Sequence, residues 1–176
     1  MKRPTWFGLA GMLLFAVLLS SCGGGPNFVQ QCPSGFQGVP GTNPEGFPLT
    51  SCVLNTDKQG TWSGLWSSAS TGRHGMLVLN LSSQGNDTGA ITFADTNQTV
   101  SLAMLKVSAG VLSDSLPANQ LPGISFQYTD QGQVYLVVGS VVFSGDNHLR
   151  SASVNIELFS GTQSPNIPFS FDLAQP

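Results

Sequence analysis

From residue 60 onward, alternation of apolar and polar residues with a period of two dominates the sequence. Successive side chains of a β-strand point to opposite faces, so this period places every second residue on one face of a sheet. The apolar runs that share a face are Trp62, Gly64 and Trp66; Leu77, Leu79 and Leu81; Ile91 and Phe93; Val100, Leu102 and Met104; Ile124, Phe126 and Tyr128; Val154, Ile156 and Leu158; and Ile167, Phe169 and Phe171. A further run, 134–143, is largely apolar on both faces. The pattern predicts about eight strands with one face in a core.

Short segments rich in Gly, Asn and Asp separate several of these runs, at 84–87, 130–132 and 145–147. Connections this short join antiparallel neighbours, because a parallel crossover needs about a dozen residues or more. The segment 111–123 is longer and contains two prolines. We therefore predict an all-β fold, an antiparallel β-barrel of about eight strands, with a two-sheet β-sandwich as the alternative.

The first part of this region favours the barrel. Gly60-Thr61-Trp62 is followed by two strand patterns around a tight turn, up to Phe93. This opening resembles that of the lipocalin and avidin superfamily, and the resemblance implies a lipocalin-like barrel. No polar contacts of the avidin biotin site can be located, so the resemblance implies no ligand.

The N-terminus has the layout of an export signal. Lys2 and Arg3 precede an apolar run of 14 residues, 6–19, which is too short to cross a bilayer as a helix. The sequence Leu19-Ser20-Ser21-Cys22 resembles the lipobox of bacterial lipoproteins. That resemblance implies a helical signal peptide, residues 1–21, removed before Cys22, and lipid on the Cys22 thiol. The alternative is an ordinary secretory signal with a chance cysteine.

A lipidated Cys22 predicts a membrane-anchored protein of the cell envelope. Two or more acyl chains of the palmitate type make attachment stable, whereas one chain is marginal. By the sorting rule of Gram-negative lipoproteins, Gly23 in place of Asp after the cysteine implies the outer membrane, if the organism has one.

Residues 22–59 are rich in Gly and Pro and predict a lipidated tether without helix or regular strand, ahead of the domain 60–176. Cys32 and Cys52 are the remaining cysteines, and the oxidising conditions outside the cytoplasm favour a disulfide between them. A two-cysteine metal site is the alternative, but no histidine is near either cysteine in sequence. The disulfide-pinned segment either covers one end of the domain or is a plain spacer.

Charge narrows the class of partner. After removal of residues 1–21, four basic residues stand against nine acidic ones, a net charge of −5. Nucleic acids and anionic lipids both select clustered Lys and Arg, so neither is expected as a partner.

No motif predicts an enzyme. The chain has no Gly-x-Ser-x-Gly elbow, and no free cysteine is left as a nucleophile. His74 and His148 are expected to be solvated loop residues, which predicts no metal site and no cofactor. The acids of the turns, among them Asp87, Asp130 and Asp146, are expected to bond local backbone; Ca²⁺ binding by them is a weaker alternative.

Trp62 and Trp66, with Gly64 between them, are the candidate ligand contacts. Gly64 could leave room for a ligand on which the two rings stack; alternatively, both rings are core. The sequence thus predicts a non-enzymatic, membrane-anchored module that binds an apolar small molecule or an envelope protein. The alternative is a structural or interaction lipoprotein with a filled core.

Overall fold

The computed structural model describes residues 32–42, 44–46, 48–109, 121–158 and 167–176. The predicted signal peptide 1–21, the predicted lipidation site Cys22 and most of the predicted loop 111–123 lie outside these residues. No helix within the described ranges is long and apolar enough to cross a bilayer.

The described chain is almost entirely strand. The strands are β1 (Phe36–Thr42), β2 (Pro48–Leu54), β3 (Gly60–Ser68), β4 (Arg73–Leu81), β5 (Thr88–Phe93), β6 (Thr99–Ser101), β7 (Ala103–Ser108), β8 (Gly123–Asp130), β9 (Gln133–Phe143), β10 (His148–Leu158), β11 (Ile167–Pro168) and β12 (Ser170–Ala174). A single 3-10 turn, Thr56–Lys58, precedes β3.

Strands β3 to β12 form a nearly closed antiparallel barrel. Sequence neighbours pair from β3 to β6 and from β7 to β10, both β11 and β12 pair with β10, and β12 returns to pair with β3. Only Leu102 separates β6 from β7; β6 pairs with β5 and β7 with β8, so one bent segment connects the two sides. Counting this bent segment once, and β11 with β12, eight passes of the chain surround the core. The predicted all-β barrel is confirmed.

The inward faces follow the predicted alternation. Every run except that of Val100, Leu102 and Met104 contributes side chains that are almost inaccessible to solvent, among them Trp62, Trp66, Leu77, Leu79, Leu81, Ile91, Phe93, Ile124, Phe126, Tyr128, Val154, Ile156, Phe169 and Phe171. Val100 and Leu102 are partly buried against this core. From the run that is apolar on both faces, Val137, Val141 and Phe143 point inward. Aromatic rings therefore fill much of the barrel.

The predicted inward position of Met104 is wrong. Met104 is 76% exposed, and its neighbour Leu105 is buried instead. The pairing of β7 with β8 shifts between Ala103 and Lys106, and Met104 has a positive φ of 54°. Such a bulge inserts one residue into the strand and reverses the alternation beyond it.

The prediction that residues 22–59 hold no regular strand is also wrong, for the described part. β1 and β2 pair in register over their full length, from Phe36 with Leu54 to Thr42 with Pro48. The Asn55 amide donates to the Gly35 carbonyl at 2.9 Å. Because bonded and non-bonded pairs alternate in an antiparallel ladder, Pro40 falls at a position whose N–H is not needed.

This hairpin packs against one end of the barrel, where β3 begins and β9 ends. Phe36 and Leu54 are buried and belong to the same apolar core as the barrel. The Ser34 hydroxyl donates to the Phe143 carbonyl at 3.3 Å, and the rings of Phe36 and Phe143 meet edge to face at 6.2 Å. The predicted disulfide between Cys32 and Cys52 is formed, with a Cα–Cα distance of 5.6 Å. We call this the hairpin end of the barrel.

Candidate functional site

Trp62 is a core residue of the hairpin end. Its indole Nε1 donates to the Lys58 carbonyl at 3.0 Å, and its ring meets Phe143 edge to face at 5.6 Å. The ring is completely buried, and its only polar atom has a partner. A ligand would have to displace these neighbours to reach it.

Trp66 lies four residues further along the same strand face, toward the opposite end of the barrel. Its Nε1 donates to the Thr92 carbonyl at 3.1 Å. The ring stacks on Phe169 with centroids 5.2 Å apart and meets Phe93 edge to face at 5.5 Å. Its stacking partners are thus other side chains of the barrel.

Gly64 leaves no room between the two tryptophans. A Cβ placed on it would lie 2.0 Å from the Asp172 carbonyl oxygen and 2.9 Å from the Leu173 Cα. The glycine is required because the backbone of β12 approaches β3 closely at this point. Ligand contact by Trp62 and Trp66 stays a prediction, and the geometry favours the alternative in which both rings are core.

The opposite end of the barrel holds an ion pair that the sequence analysis missed. Arg73 begins β4 and Asp130 ends β8, and both side chains point inward. The Arg73 Nη1 donates to the Asp130 carboxylate, whose side chain is almost completely buried. Asp130 was expected to bond local backbone, and that expectation is wrong. We call this the Arg73 end.

Two further contacts hold the Arg73 guanidinium. It lies 4.3 Å from the centroid of the Phe93 ring, which is a cation–π geometry. Its Nη2 is 3.6 Å from the Asp95 carboxylate, within ion-pair range but too far for a hydrogen bond. The arginine therefore covers the aromatic core with its charge balanced by two acids.

Tyr128 and Tyr135 form part of the same end. They pair across β8 and β9, and their rings stack with centroids 5.1 Å apart. Burial, assisted by the neighbouring Tyr135, raises the pKa of Tyr128 to about 12, although Arg73 acts in the opposite direction. The Tyr128 phenol is therefore neutral at physiological pH and unsuited to act as a base.

A cavity of about 40 Å³ lies between Trp66, Arg73, Tyr128 and Ile167. Its volume suits water or a very small polar molecule. The buried Nε and Nη2 of Arg73 and the Oγ of Ser68 have no hydrogen-bond partner in the described part of the chain. Buried donors of this kind bind oxygen acceptors. The cavity can hold such an acceptor, but it has no room for a lipid chain.

The predicted loop positions of His74 and His148 are wrong, because each histidine lies in a strand. His74 is exposed in β4. His148 begins β10, and its Nδ1 pairs with the Asp172 carboxylate on the outer wall. Within the described residues, no three His, Cys, Asp or Glu side chains gather as metal ligands.

The His148 pair continues into an exposed polar network. The Arg150 Nε donates to Asp172 at 3.0 Å, and its Nη2 donates to Asp146 at 2.8 Å. Hydrogen bonds from Ser144 and Arg150 lower the pKa of Asp146 to about 2, and the His148 contact, followed by Arg150, lowers the pKa of Asp172. Because both carboxylates are ionised and hydrogen-bonded to these partners, they are poorly suited to bind Ca²⁺ or to act as a catalytic acid.

Asp87 connects the β4–β5 turn to β7 across the opening in the barrel wall, which we call the seam. Its carboxylate accepts from the Ser82 amide at 2.8 Å and from the Val107 amide at 3.1 Å. The first bond is the local backbone contact expected of a turn Asp. The second joins the β4–β5 turn to β7, where β7 has no partner strand on that side among the described elements.

An open groove of about 420 Å³ runs along this seam, between the hairpin and the barrel rim. Residues 50–54 of β2 form one wall, and the other wall consists of Ser82, Ser83, Gly85 and residues 106–109. Its surface is mixed, with serine hydroxyls, Lys106 and the apolar Val53 and Val107.

No family model, no curated protein and no solved structure matches this chain. Of the residues predicted from sequence, the disulfide pair closes the hairpin, the two tryptophans lie in the core, and the histidines lie apart from each other on the outer wall. The Arg73 end and the Asp87 seam are additions from the structure.

Proposed function

We propose that the protein is a lipid-anchored, non-enzymatic lipoprotein of the cell envelope that acts through contacts of its outer surface. The observation that carries this proposal is the filled interior. Trp62 and Trp66 have their polar atoms paired and their rings packed on other aromatic side chains. A barrel filled in this way has its outer wall available for recognition.

The lipobox resemblance around Cys22 supports the anchor. Cysteine preceded by Leu19-Ser20-Ser21 follows a basic start and a short apolar run, in the order that lipidation requires. The anchor holds the protein at an envelope membrane, the outer one in a Gram-negative organism.

The outer wall offers an apolar contact point. Leu65 and Met76 are directly paired in β3 and β4, and they are 68% and 43% exposed. Asp172 pairs with Leu65 on the other side, so the polar network of Arg150 borders this point. Apolar residues with a polar rim are typical of protein interfaces. An envelope protein, or a second copy of the chain, is therefore the favoured partner.

The second candidate is binding of a small apolar molecule, as the sequence suggests for Trp66. Trp66 does line a cavity, but at about 40 Å³ that cavity is far smaller than the ~300 Å³ or more of ordinary ligand pockets.

The experiment compares the full-length protein with C22A and with the double variant L65D/M76D. We expect wild type and L65D/M76D in the membrane fraction and C22A outside it. After mild detergent extraction, native electrophoresis should show wild type above the monomer size and L65D/M76D at the monomer size. Membrane retention of C22A would contradict the anchor, and monomeric wild type would contradict the surface partner.

A further inference from the structure

The position of the disulfide limits how the barrel stands on a membrane. Nine residues separate Cys22 from Cys32, so the lipidated cysteine lies at most about 35 Å from Cys32, whatever the conformation between them. Cys32 is bonded to Cys52 in β2, at the hairpin end of the barrel. The anchor therefore leaves the domain at that end.

The Arg73 end can face the membrane only if the nine residues between Cys22 and Cys32 are almost fully extended. The longest strands have 11 residues, which gives a barrel height of roughly 25–30 Å at the usual strand tilt. An inverted barrel would need almost the full reach of the nine residues. Chain entropy therefore favours the hairpin end next to the bilayer.

The hairpin itself presents exposed apolar side chains and little charge, and the charged groups of the neighbouring rim, Lys58 with Asp57 and Arg150 with Asp146, are held in ion pairs. Val39 of β1 is 42% exposed, and Leu121, before β8, is also 42% exposed. Leu121 lies at the same rim because Gly123 pairs with Ser108, which lines the groove beside the hairpin. Residues 32–55 contain no Lys or Arg, and Glu45 is their only charged residue.

We propose that the hairpin end rests on the bilayer surface, with Val39 and Leu121 in the interfacial region. This proposal rests on the lipid anchor proposed above. It assigns the hairpin as the spacer between barrel and membrane, and it turns the Arg73 end away from the bilayer toward the surrounding compartment.

The test uses the full-length, lipidated protein reconstituted into phosphatidylcholine vesicles, with single variants V39W and L121W and the matched control A94W. Ala94 is exposed and follows β5 at the Arg73 end. Native Trp62 and Trp66 are buried and give a constant background. We expect brominated phospholipid to quench the added emission of V39W and L121W, with a blue shift, and to leave A94W unchanged. Two independent positions keep the test valid if one variant fails to fold.

The outcomes separate the orientation from the anchor. Vesicle flotation of every variant without quenching of V39W or L121W would overturn the orientation and leave the anchor intact. Quenching of A94W in their place would reverse the orientation. Failure of the wild type to float with vesicles would refute the anchor and, with it, the orientation.

Salt and lipid charge test the chemistry of the contact. With no basic cluster on the hairpin, quenching should be the same at low and high salt and should not rise when phosphatidylglycerol replaces part of the phosphatidylcholine. Quenching that appears only on anionic vesicles at low salt would overturn a neutral contact and indicate an electrostatic one through residues such as Lys106.

Discussion

Arg73 and Asp130 form an ion pair across one end of the barrel, although they are 57 positions apart in sequence. Arg73 opens β4, and Asp130 closes β8 just before the turn at Gln131 and Gly132, both of which have positive φ. The ion pair thereby connects β4 to β8, which are not neighbours in the sheet. It lies at the end of the barrel where the aromatic core would otherwise contact solvent.

Loss of one partner of this pair should destabilise the fold more than loss of both. D130N leaves a largely buried guanidinium without its acid, and we expect a loss of roughly 3 kcal/mol in the free energy of unfolding. The double variant R73M/D130L replaces both charges with apolar groups and should recover much of that loss. Urea unfolding of R73M, D130L and the double variant measures the coupling. Additive effects would show that the pair contributes no coupling energy.

The alternation of apolar residues in the sequence predicts that Arg73 and Asp130 both point into the barrel. Asp130 continues the inward phase of Ile124, Phe126 and Tyr128, and Arg73 continues the inward phase of Leu77, Leu79 and Leu81. Assigning Asp130 to a turn and His74 to a loop ended both strands too early. That the two strand ends meet is a property of the closed barrel and could not be obtained from either run alone.

Burial of Tyr128 should make the protein sensitive to alkaline pH. Its pKa is raised from near 10 to about 12 in the folded state, so the folded protein retains a proton that the unfolded chain releases. The resulting stabilisation is complete below pH 10 and is lost as pH rises toward 12, which corresponds to roughly 3 kcal/mol over that window.

The variant Y128F removes this titration. Its melting temperature should fall less steeply than that of wild type between pH 9 and pH 11.5 (roughly the onset of the window). Circular dichroism melts at matched ionic strength measure the two slopes. Parallel slopes would show that Tyr128 does not carry the alkaline sensitivity.

Asp87 should contribute to stability through the barrel seam. D87A removes the acceptor of the Ser82 and Val107 amides, and we expect a loss of about 2 kcal/mol together with faster exchange of the Val107 amide. D95A is the control, because Asp95 is exposed and, in the part of the chain that the structure describes, accepts a hydrogen bond only from its neighbour Thr96 and lies 3.6 Å from Arg73. Its effect should be under about 1 kcal/mol. Equal losses in both variants would contradict a special role for the seam.

The tryptophans should behave as core residues. W66A removes a ring stacked on Phe169 and should cost about 3–5 kcal/mol, as large aromatic truncations in cores do. L65A, one residue away on the exposed face, should cost less than about 0.5 kcal/mol. Chemical denaturation of both variants checks the contrast. A small effect of W66A would indicate that the ring lines an adaptable pocket.

The hairpin and the bulge show where sequence patterns stop being informative. Pro40 and the frequent glycines argue against a strand, yet Pro40 lies where β1 needs no donor, and the Cys32–Cys52 disulfide holds the pair together. Met104 fits the alternation but lies at an inserted residue. In both cases the deciding contact is made with a neighbouring strand, which the pattern of a single run does not contain.

Comparison of native and denatured masses of the protein extracted from membranes tests the central claim most directly. A lipidated chain with a filled barrel should give a denatured mass equal to residues 22–176 plus acyl groups, and the native mass should carry no additional small molecule. A denatured mass without acyl groups would contradict the anchor. A reproducible extra mass that dissociates on denaturation would contradict the filled interior and would favour ligand binding as the function.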